Sequence, residues 1–297
     1  MVRLDPSAVP VSELHSYLLG GIAPRPIAFV STINEDGQPN LSPFSFFNVF
    51  SANPPIAVFS PARRGRDGST KHSFENAKRV PELTINVVNY SMVQQVSLAS
   101  TEYPEGVNEF RKAGFTELAS EKVRPPRVAE SPFQMECRVQ NIIELGQGGG
   151  AGNLVICEIL LIHVSPDILD EQGKIDPFKT DHIGRCGGDW YTRVNPESLF
   201  EVAKPLRKMG IGVDSIPDEI RTSNILTGND LGKLGNVEQL PDETSVNEYK
   251  LLELSDIFIA HESDPHGLEI ALHREAAKLL AENRVEEAWK TLLSYNN

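Results

Sequence analysis

The sequence predicts a mainly β fold, with an antiparallel barrel at its core, short helices and a helical C-terminal extension. Runs rich in β-branched and aromatic residues recur through the first two thirds of the chain, separated by turn-forming clusters. The helical segments between them are short, whereas a doubly wound α/β sheet needs crossover connections of about a dozen residues or more. A closed antiparallel barrel therefore fits the pattern better.

The strands are predicted in chain order from these runs. They cover residues 26–33, 40–48, 56–60, 83–88, 133–145 and 154–164. A glycine-rich segment, 146–152, joins the last two as a hairpin-like loop. Both faces of the 154–164 strand are apolar, which indicates a strand covered on both sides.

Short helices are predicted between the strands from their start and stop signals. One helix is predicted to start at a cap formed by Ser69 or Thr70, and another at a Ser91–Gln94 capping box. A third is predicted over 105–113 and ends at Gly114.

The sequence changes near residue 198 from strand-like runs to acidic, loop-like and helical segments. This predicts two parts, a barrel over 1–197 and an acidic extension over 198–297. After Pro196 there are 19 acidic and 10 basic residues. Residues 226–236 look loop-like, and Asp264 before Pro265 predicts the start of a helical hairpin. One helix pair cannot bury its own apolar face, so a packing appendage is favoured over a binding module.

Charge and cysteine content exclude several classes of protein. The 28 basic and 41 acidic residues leave a net charge of −13, which argues against nucleic acid or an anionic membrane as a broad-surface partner. Three cysteines without a paired spacing predict neither a disulfide framework nor a metal site. The first residues lack the apolar core of a signal peptide, so the expected location is cytoplasmic.

The segment Ser42–Asn48 alternates small hydroxyl residues with aromatic ones, and Pro43 removes a ladder donor. A planar heterocycle would suit it, because backbone and polar side chains can meet the ring edge while aromatic rings cover the faces. An edge strand whose phenylalanines enter the core explains the residues equally well.

The segment Arg63–Ser73 combines three arginines, two glycines and a Ser/Thr/Lys cluster before a predicted helix. Such a set can hold a phosphate at the helix N-terminus. On composition alone, a solvated basic loop followed by an ordinary cap explains it better. Only its pairing with the aromatic segment favours an anion site.

Arg25 lies between two prolines, on a stiff extended backbone that suits a fixed charge at the mouth of a site. A surface ion pair is the equal alternative. His163 and His182 lack metal-ligand spacing, so each is expected to be hydrogen-bonded or exposed. Hydrolase motifs and a dinucleotide fingerprint are missing from the sequence, and no catalytic residue is predicted.

Taken together, the motifs over residues 10–195 resemble the flavin reductase-like, FMN-binding split-barrel family, most closely its flavoredoxin-like branch. The motifs that carry the resemblance are Arg25–Thr32, Gly37–Asn48, Pro54-Pro55, Ser69–Ser73, Leu83–Val88, Gly152–Glu158 and Arg185–Tyr191. Relatives often read Lys-Asp-Thr where this chain has Lys71-His72-Ser73. The resemblance implies a Greek-key split barrel and a homodimer with FMN, or alternatively FAD, near the interface.

It also implies a set of flavin-binding residues. Those expected at the flavin ring are Ser45, Phe46 and Asn48, with Arg185 and Tyr191 approaching it. Those expected at the phosphate are Ser60, Thr70, Lys71 and Ser73. Those expected along the same cleft are Arg25, Ser31 and Thr32.

The implied reaction is hydride transfer from NADH or NADPH to the flavin, followed by electron delivery to a protein acceptor or to freed flavin. Flavin carries this chemistry itself, which agrees with the lack of a catalytic triad. The alternatives are an FMN-binding electron carrier or storage protein without nicotinamide activity, a pyridoxamine-phosphate oxidase-like enzyme, and an interaction protein whose helical end recruits a partner.

Overall fold

The computed structural model describes residues 1–205 and 209–296, and the chain forms two compact units, Met1–Phe200 and Glu201–Asn297. Within those described ranges, no helix combines the length and the apolar character that crossing a membrane requires.

The first unit is built on a seven-stranded sheet in which every neighbouring pair is antiparallel. Its strands are β1 (Ala28–Ile33), β2 (Pro39–Phe44), β3 (Phe47–Ala52), β4 (Pro55–Phe59), β5 (Glu82–Val87), β8 (Phe133–Glu144) and β9 (Asn153–Val164). They lie in the order β2-β1-β5-β8-β9-β4-β3. Two small hairpins complete the strands, β6 (Glu117–Leu118) with β7 (Arg127–Val128) and β10 (Ile183–Gly187) with β11 (Trp190–Arg193).

The expected closed barrel is not found in the strand pairing. Across the described residues the sheet has two edges, β2 and β3, and the predicted single segment 40–48 is divided between them. Prolines 39 and 43 suit β2 to an edge, because each lacks a ladder donor. The amide of Leu41, on this edge strand, donates to the buried Glu109 carboxylate at 2.9 Å.

Helices cover parts of this sheet. They are α1 (Val11–Gly21), α2 (His72–Arg79), α3 (Val93–Ala99), which follows a 3-10 turn over Tyr90–Met92, and α4 (Glu109–Ala113). Helix α4 ends at Gly114, whose φ of 73° places it in the left-handed conformation typical of a glycine cap. Its start, however, lies four residues later than the sequence predicts.

Two further helix predictions need correction, and one helix is not predicted by the sequence. Helix α2 begins after Lys71 instead of at Ser69 or Thr70, because the Ser69 hydroxyl donates to Asp67 and the Thr70 hydroxyl to Glu75, each at 2.6 Å. The Ser91 hydroxyl donates to Asn89 and caps no helix. Helix α1 was not predicted, and it has no fully buried residue that would mark a core-facing stripe.

Strand β1 is buried along its whole length and separates two apolar clusters. Ala28 and Val30 face one cluster with Phe59 and Phe74. Phe29 faces the other, where its ring lies edge-on to that of Phe115 at a centroid distance of 5.1 Å. A strand covered on both faces holds its neighbours rigidly, which suits it to position a site at its ends.

The second unit is helical. Its helices are α5 (Asp218–Arg221), α6 (Gly228–Leu234), α7 (Glu243–Glu253), α8 (Ser255–Ala260), α9 (Pro265–Ala281) and α10 (Val285–Leu293). The Asp264 carboxylate accepts the Gly267 amide hydrogen bond at the start of α9. Trp289 is fully buried in the core of this unit, and its indole donates to Leu234 O at 3.1 Å.

The stretch 226–236 was expected to be loop-like, and it contains α6 instead. Thr227 and Asp230 form a reciprocal capping box at the start of this helix. Two satisfied N-terminal donors outweigh the helix-weakening effect of the glycines in the segment.

Candidate cofactor site

Three predicted site residues lie near the short segment Phe44–Phe46, which leads from β2 to β3. Arg25 Nε lies 3.5 Å from Ser45 Oγ, Lys71 Nζ lies 5.8 Å from the centroid of the Phe44 ring, and the Ser60 amide donates to Phe46 O at 2.8 Å. The chain therefore brings a guanidinium, an ammonium group and a serine together around one strand connection.

Arg25 is buried, with 5% of its surface exposed. Its Nη1 donates to Leu19 O and Ile22 O at the C-terminal end of α1, at 2.5 and 2.6 Å. Burial lowers the pKa of Arg25, and the positive charge of Arg185 lowers it further. Its Nη2 is buried without a hydrogen-bond partner. The surface ion pair is therefore excluded, and a buried donor is left for an acceptor atom of a ligand.

Lys71 immediately precedes α2, and burial lowers its pKa. Over residues 1–205 and 209–296, no carboxylate lies within ion-pair distance of its ammonium group. The amides of His72 and Ser73, at the start of α2, likewise have no acceptor in the described chain. An unpaired lysine beside free helix N-terminal amides is a favourable place for an anion.

Beside Lys71 lies a pocket of 410 Å³ with a basic lining. Its lining residues are Ala62, Arg63, Arg64, Gly65, Arg66, Lys71 and Glu102. The arginines already have acidic partners: Arg64 and Arg66 pair with Glu102 at 3.1 and 2.8 Å, and Arg63 pairs with Glu144 at 2.8 Å. Lys71 is thus the cation of this pocket whose charge is not neutralised within the described residues.

The glycine-rich loop 146–152 is joined by backbone hydrogen bonds to the start of the basic segment Arg63–Ser73. Arg63 N donates to Ala151 O at 2.8 Å, and Gly150 N donates to Arg63 O at 3.0 Å. A Cβ on Gly149 would lie 2.7 Å from Gly65 O, so only glycine permits this close approach. The sequence pattern indicated a hairpin loop here and missed its second role as a support for the anion pocket.

Buried asparagines hold three of the predicted hydroxyl residues. Asn76 Nδ2 donates to Thr32 Oγ1 at 3.1 Å, and Asn40 Nδ2 donates to Ser73 Oγ at 2.9 Å. The backbone N–H of Asn153 donates to Ser60 Oγ at 3.1 Å. Ser31 and Thr32 are fully buried, and Ser31 Oγ has no partner. The structure therefore places both residues in the interior, and Thr32 helps to dock α2 on the sheet.

Three other predicted site residues contact residues that are not part of the predicted site. Asn48 is exposed on β3, and its side chain accepts the Val49 amide hydrogen bond at 2.8 Å. Phe46 is 38% exposed, with its ring 6.1 Å from that of His15. The Thr70 hydroxyl, as described above, donates to Glu75.

Arg185 and Tyr191 lie opposite each other in the β10–β11 hairpin, with the guanidinium 4.6 Å from the Tyr191 ring centroid. The backbones of Arg185 and Arg25 exchange two hydrogen bonds, of 3.0 and 2.9 Å. This pairing brings the hairpin to the Arg25 end of the site, a long-range contact that no local sequence signal marks.

The two histidines differ in their surroundings. His163 Nε2 lies 2.7 Å from a Glu136 oxygen, as expected of a hydrogen-bonded histidine. His182 departs from the expectation, because its Nδ1 is buried without a partner and burial lowers the pKa of the ring. In the described part of the chain, His, Cys, Asp and Glu form no group of three that could hold a metal ion.

The donor set defines the chemistry that the site can accept. Arg25 Nη2, the Lys71 ammonium group and the two free amides of α2 are all donors, and the exposed Phe46 adds aromatic surface. Donors without acceptors fit a ligand that has an anionic group and a planar, acceptor-bearing ring. The first unit thus combines a β fold with a candidate site that would suit an anionic, planar cofactor.

The chain belongs to the flavin reductase-like family, because the model of the flavin reductase like domain matches residues 20–179. This confirms the family that the motifs indicate. An uncharacterized protein of Halalkalibacterium halodurans is 35% identical over 206 residues, which cover 69% of this chain and 97% of that protein.

Two solved structures are also similar. Nitrilotriacetate monooxygenase component B from Bacillus cereus matches with a TM-score of 0.63 and 28% identity, over 68% of this chain and 98% of that one. A Shewanella frigidimarina protein with a split barrel domain matches with a TM-score of 0.56 and 25% identity, over 66% of this chain and 96% of that one.

Proposed function

We propose that this protein binds FMN and uses NADH or NADPH to reduce it, passing the electrons to a further acceptor. The approach of Arg25 and Lys71 to the segment Phe44–Phe46 carries the proposal, because Arg25 Nη2 and the Lys71 ammonium group are unpaired donors near a segment that bears the exposed Phe46 ring. Membership of the flavin reductase-like family supports the same ligand.

In this proposal the chain's residues bind and orient the cofactor. Lys71 and the amides of His72 and Ser73 hold the phosphate, which also compensates the burial of the lysine charge. Arg25 Nη2 and Ser45 meet acceptor atoms of the ring, and Phe46 covers part of it. A bound flavin would supply two-electron redox chemistry between a nicotinamide donor and a further acceptor.

We also propose that the first unit is a split barrel that pairs with a second copy of the chain. Exposed apolar residues support this pairing. They are Tyr17, Leu18 and Ile22 in and after α1, and Val49 and Phe50 on the edge strand β3. Sedimentation equilibrium is expected to give twice the 32.8 kDa of the chain. A Phe50→Glu variant is expected to shift the mass toward that of the monomer, and a wild-type monomer at micromolar concentration would contradict the pairing.

The flavin proposal is tested by the visible absorption spectrum of the purified protein, followed by heat release and chromatography of any chromophore. Stoichiometric FMN is expected, either as purified or after the colourless protein is incubated with it. Anaerobic addition of NADH or NADPH is then expected to bleach the flavin bands, and air is expected to restore them.

The outcomes separate the parts of the proposal. A protein that retains neither FMN nor FAD would overturn the cofactor assignment. A protein that binds FMN but is not reduced by either nicotinamide would overturn the reductase activity and leave an electron carrier.

A further inference from the structure

The second unit carries a groove of 620 Å³, outside residues 20–179, which the family model matches. The groove is lined by α8, the loop that follows it, the start of α9, and a tyrosine beyond the end of α10. Its lining residues used below are Phe258, Ile259, His261, Glu262, Leu268 and Tyr295. None of them belongs to the candidate flavin site, so the inference drawn from this groove does not depend on the proposed function.

Contacts within the unit fix the shape of this groove. His261 Nδ1 lies 2.9 Å from Ile257 O, near the end of α8. The Lys250 ammonium group lies 4.2 Å from the centroid of the Phe258 ring and donates to Ser294 O at 3.1 Å, which ties α8 to the end of α10. These contacts form without a ligand, so a ligand that enters the groove has little ordering to bring about.

Large apolar side chains are exposed at this groove and on the helix before it. Ile259, in the lining, is 72% exposed, and Leu251 and Leu252, at the end of α7, are 74% and 77% exposed. The apolar core of the same unit lies elsewhere, around the fully buried Trp289. Exposed apolar side chains grouped in this way are typical of a surface that contacts another molecule.

The chain around the groove is strongly acidic. Residues 242–269 contain eight aspartate and glutamate residues and a single lysine, Lys250. Glu253, Asp256 and Glu262 are exposed, and none of the three forms an ion pair with any part of the chain that the structure describes. A second copy of the chain would bring equal negative charges together here, and an anionic membrane would also be repelled.

The polar groups of the lining favour a hydrogen-bond donor. Ile257 O can only accept, so His261 Nδ1 carries the hydrogen of their contact, and Nε2 of the neutral ring is an acceptor. The carboxylate of Glu262 is also an acceptor, and it carries a negative charge. A lysine or arginine side chain supplies both the donors and the opposite charge.

We propose that this groove is the docking site for a segment of another protein in which apolar side chains alternate with lysine or arginine. The apolar side chains pack against Phe258, Ile259 and Leu268, and a cationic side chain meets Glu262. Charge complementarity selects this partner over a second copy of the chain. The helical extension is thus a binding module on this face, although its other apolar residues pack into its own core.

The test uses the full-length protein and a fluorescein-labelled synthetic helical peptide with leucines on one face and lysines on the other. Fluorescence anisotropy is expected to give a Kd in the micromolar range. Ile259→Gln and Glu262→Lys are each expected to raise this Kd by about tenfold, through the loss of apolar contact and of charge complementarity respectively. A second peptide, with glutamate in place of each lysine, is expected to bind the wild type more weakly by about tenfold or more.

Ile175→Gln and Glu35→Lys provide matched controls in the first unit. Both residues are exposed and lie outside the groove. Glu35→Lys changes the net charge as much as Glu262→Lys does, so it measures general electrostatics alone. Both controls are expected to bind the lysine peptide like the wild type. Because Ile259 and Glu262 are also exposed, all four variants should keep the wild-type circular dichroism spectrum.

The remaining outcomes overturn the proposal. Equal Kd values for the wild type, Ile259→Gln and Glu262→Lys would show that the peptide does not bind in this groove. Equal binding of the two peptides would exclude a basic partner. A lower mass of Ile259→Gln in sedimentation equilibrium would assign the groove to contacts between copies of the chain. Binding to phosphatidylcholine vesicles that Ile259→Gln abolishes would assign it to lipid.

Discussion

Replacing Lys71 by glutamine is expected to weaken FMN binding by roughly 10- to 100-fold, which is the effect of losing one charge-assisted hydrogen bond. Lys71 is the cation at the basic pocket without an acidic partner in the described chain, and burial already lowers its pKa. A phosphate in this position restores the favourable surroundings of the ammonium group, so the lysine should matter more for binding than for folding.

Lys78, in the helix that Lys71 precedes, provides the matched control. Its ammonium group lies 5.1 Å from the Phe74 ring centroid, much as Lys71 lies 5.8 Å from Phe44. It is exposed, however, and pairs with Glu144 at 3.0 Å. Fluorescence titration with FMN should therefore find Lys78→Gln close to the wild type. Similar losses in both variants would show that general electrostatics, and not a phosphate contact at Lys71, governs binding.

Replacing Glu136 by alanine is expected to reduce the free energy of unfolding of the first unit by about 3–5 kcal/mol, the usual effect of breaking a buried ion pair. Glu136 is fully buried. Its carboxylate accepts the amide hydrogen bonds of Glu121 and Lys122, lies 2.7 Å from His163 Nε2, and faces Arg127 Nε at 3.6 Å. Removal leaves the amides of Glu121 and Lys122 without their acceptor and the buried Arg127 guanidinium without its neighbouring negative charge.

The same carboxylate predicts a pH dependence. Burial raises its pKa, but the amides of Glu121 and Lys122 and the His163 contact outweigh that effect, so its pKa lies below the ordinary value of 4.5. A lowered carboxylate pKa stabilises the fold above about pH 4.5 and loses this contribution as the pH falls through the folded-state value. Glu136→Gln should remove this part of the acid dependence.

Amide hydrogen exchange of β8 and β9 measures both effects within the first unit. Glu158→Ala on β9 is the control, because among the described residues the hydrogen bond of that side chain is with Gln140, and its loss should change stability by about 0.5 kcal/mol or less. If Glu136→Ala stayed within that range, the buried cluster would contribute little to stability.

Local patterns in the sequence predicted the sheet strands well. The long strands 133–145 and 154–164 differ from β8 and β9 by about a residue at their ends, because alternating apolar faces and a glycine-rich turn are local signals. The start of α2 was less predictable, since the Ser69 and Thr70 hydroxyls bond to Asp67 and Glu75. Competition of that kind depends on geometry that residue type does not reveal.

The candidate site was predictable only in part. The sequence pointed to the aromatic segment and the basic loop, and the structure brings Lys71 and Arg25 to the same strand connection. The sequence could not indicate that Glu102 pairs with two arginines. Nor could it indicate that Asp181 hydrogen-bonds to both Tyr90 and Arg193. These contacts join residues far apart in the chain, and no spacing rule connects them.

The paired backbones of Arg25 and Arg185 have a consequence for how such a protein can diversify. Their two hydrogen bonds join main-chain atoms, so they persist whatever side chains occupy the two positions, proline excepted. Mutation can therefore alter the charges at the candidate site while the hairpin keeps its position. The side chains of this site can change without any change in the backbone contact that positions them.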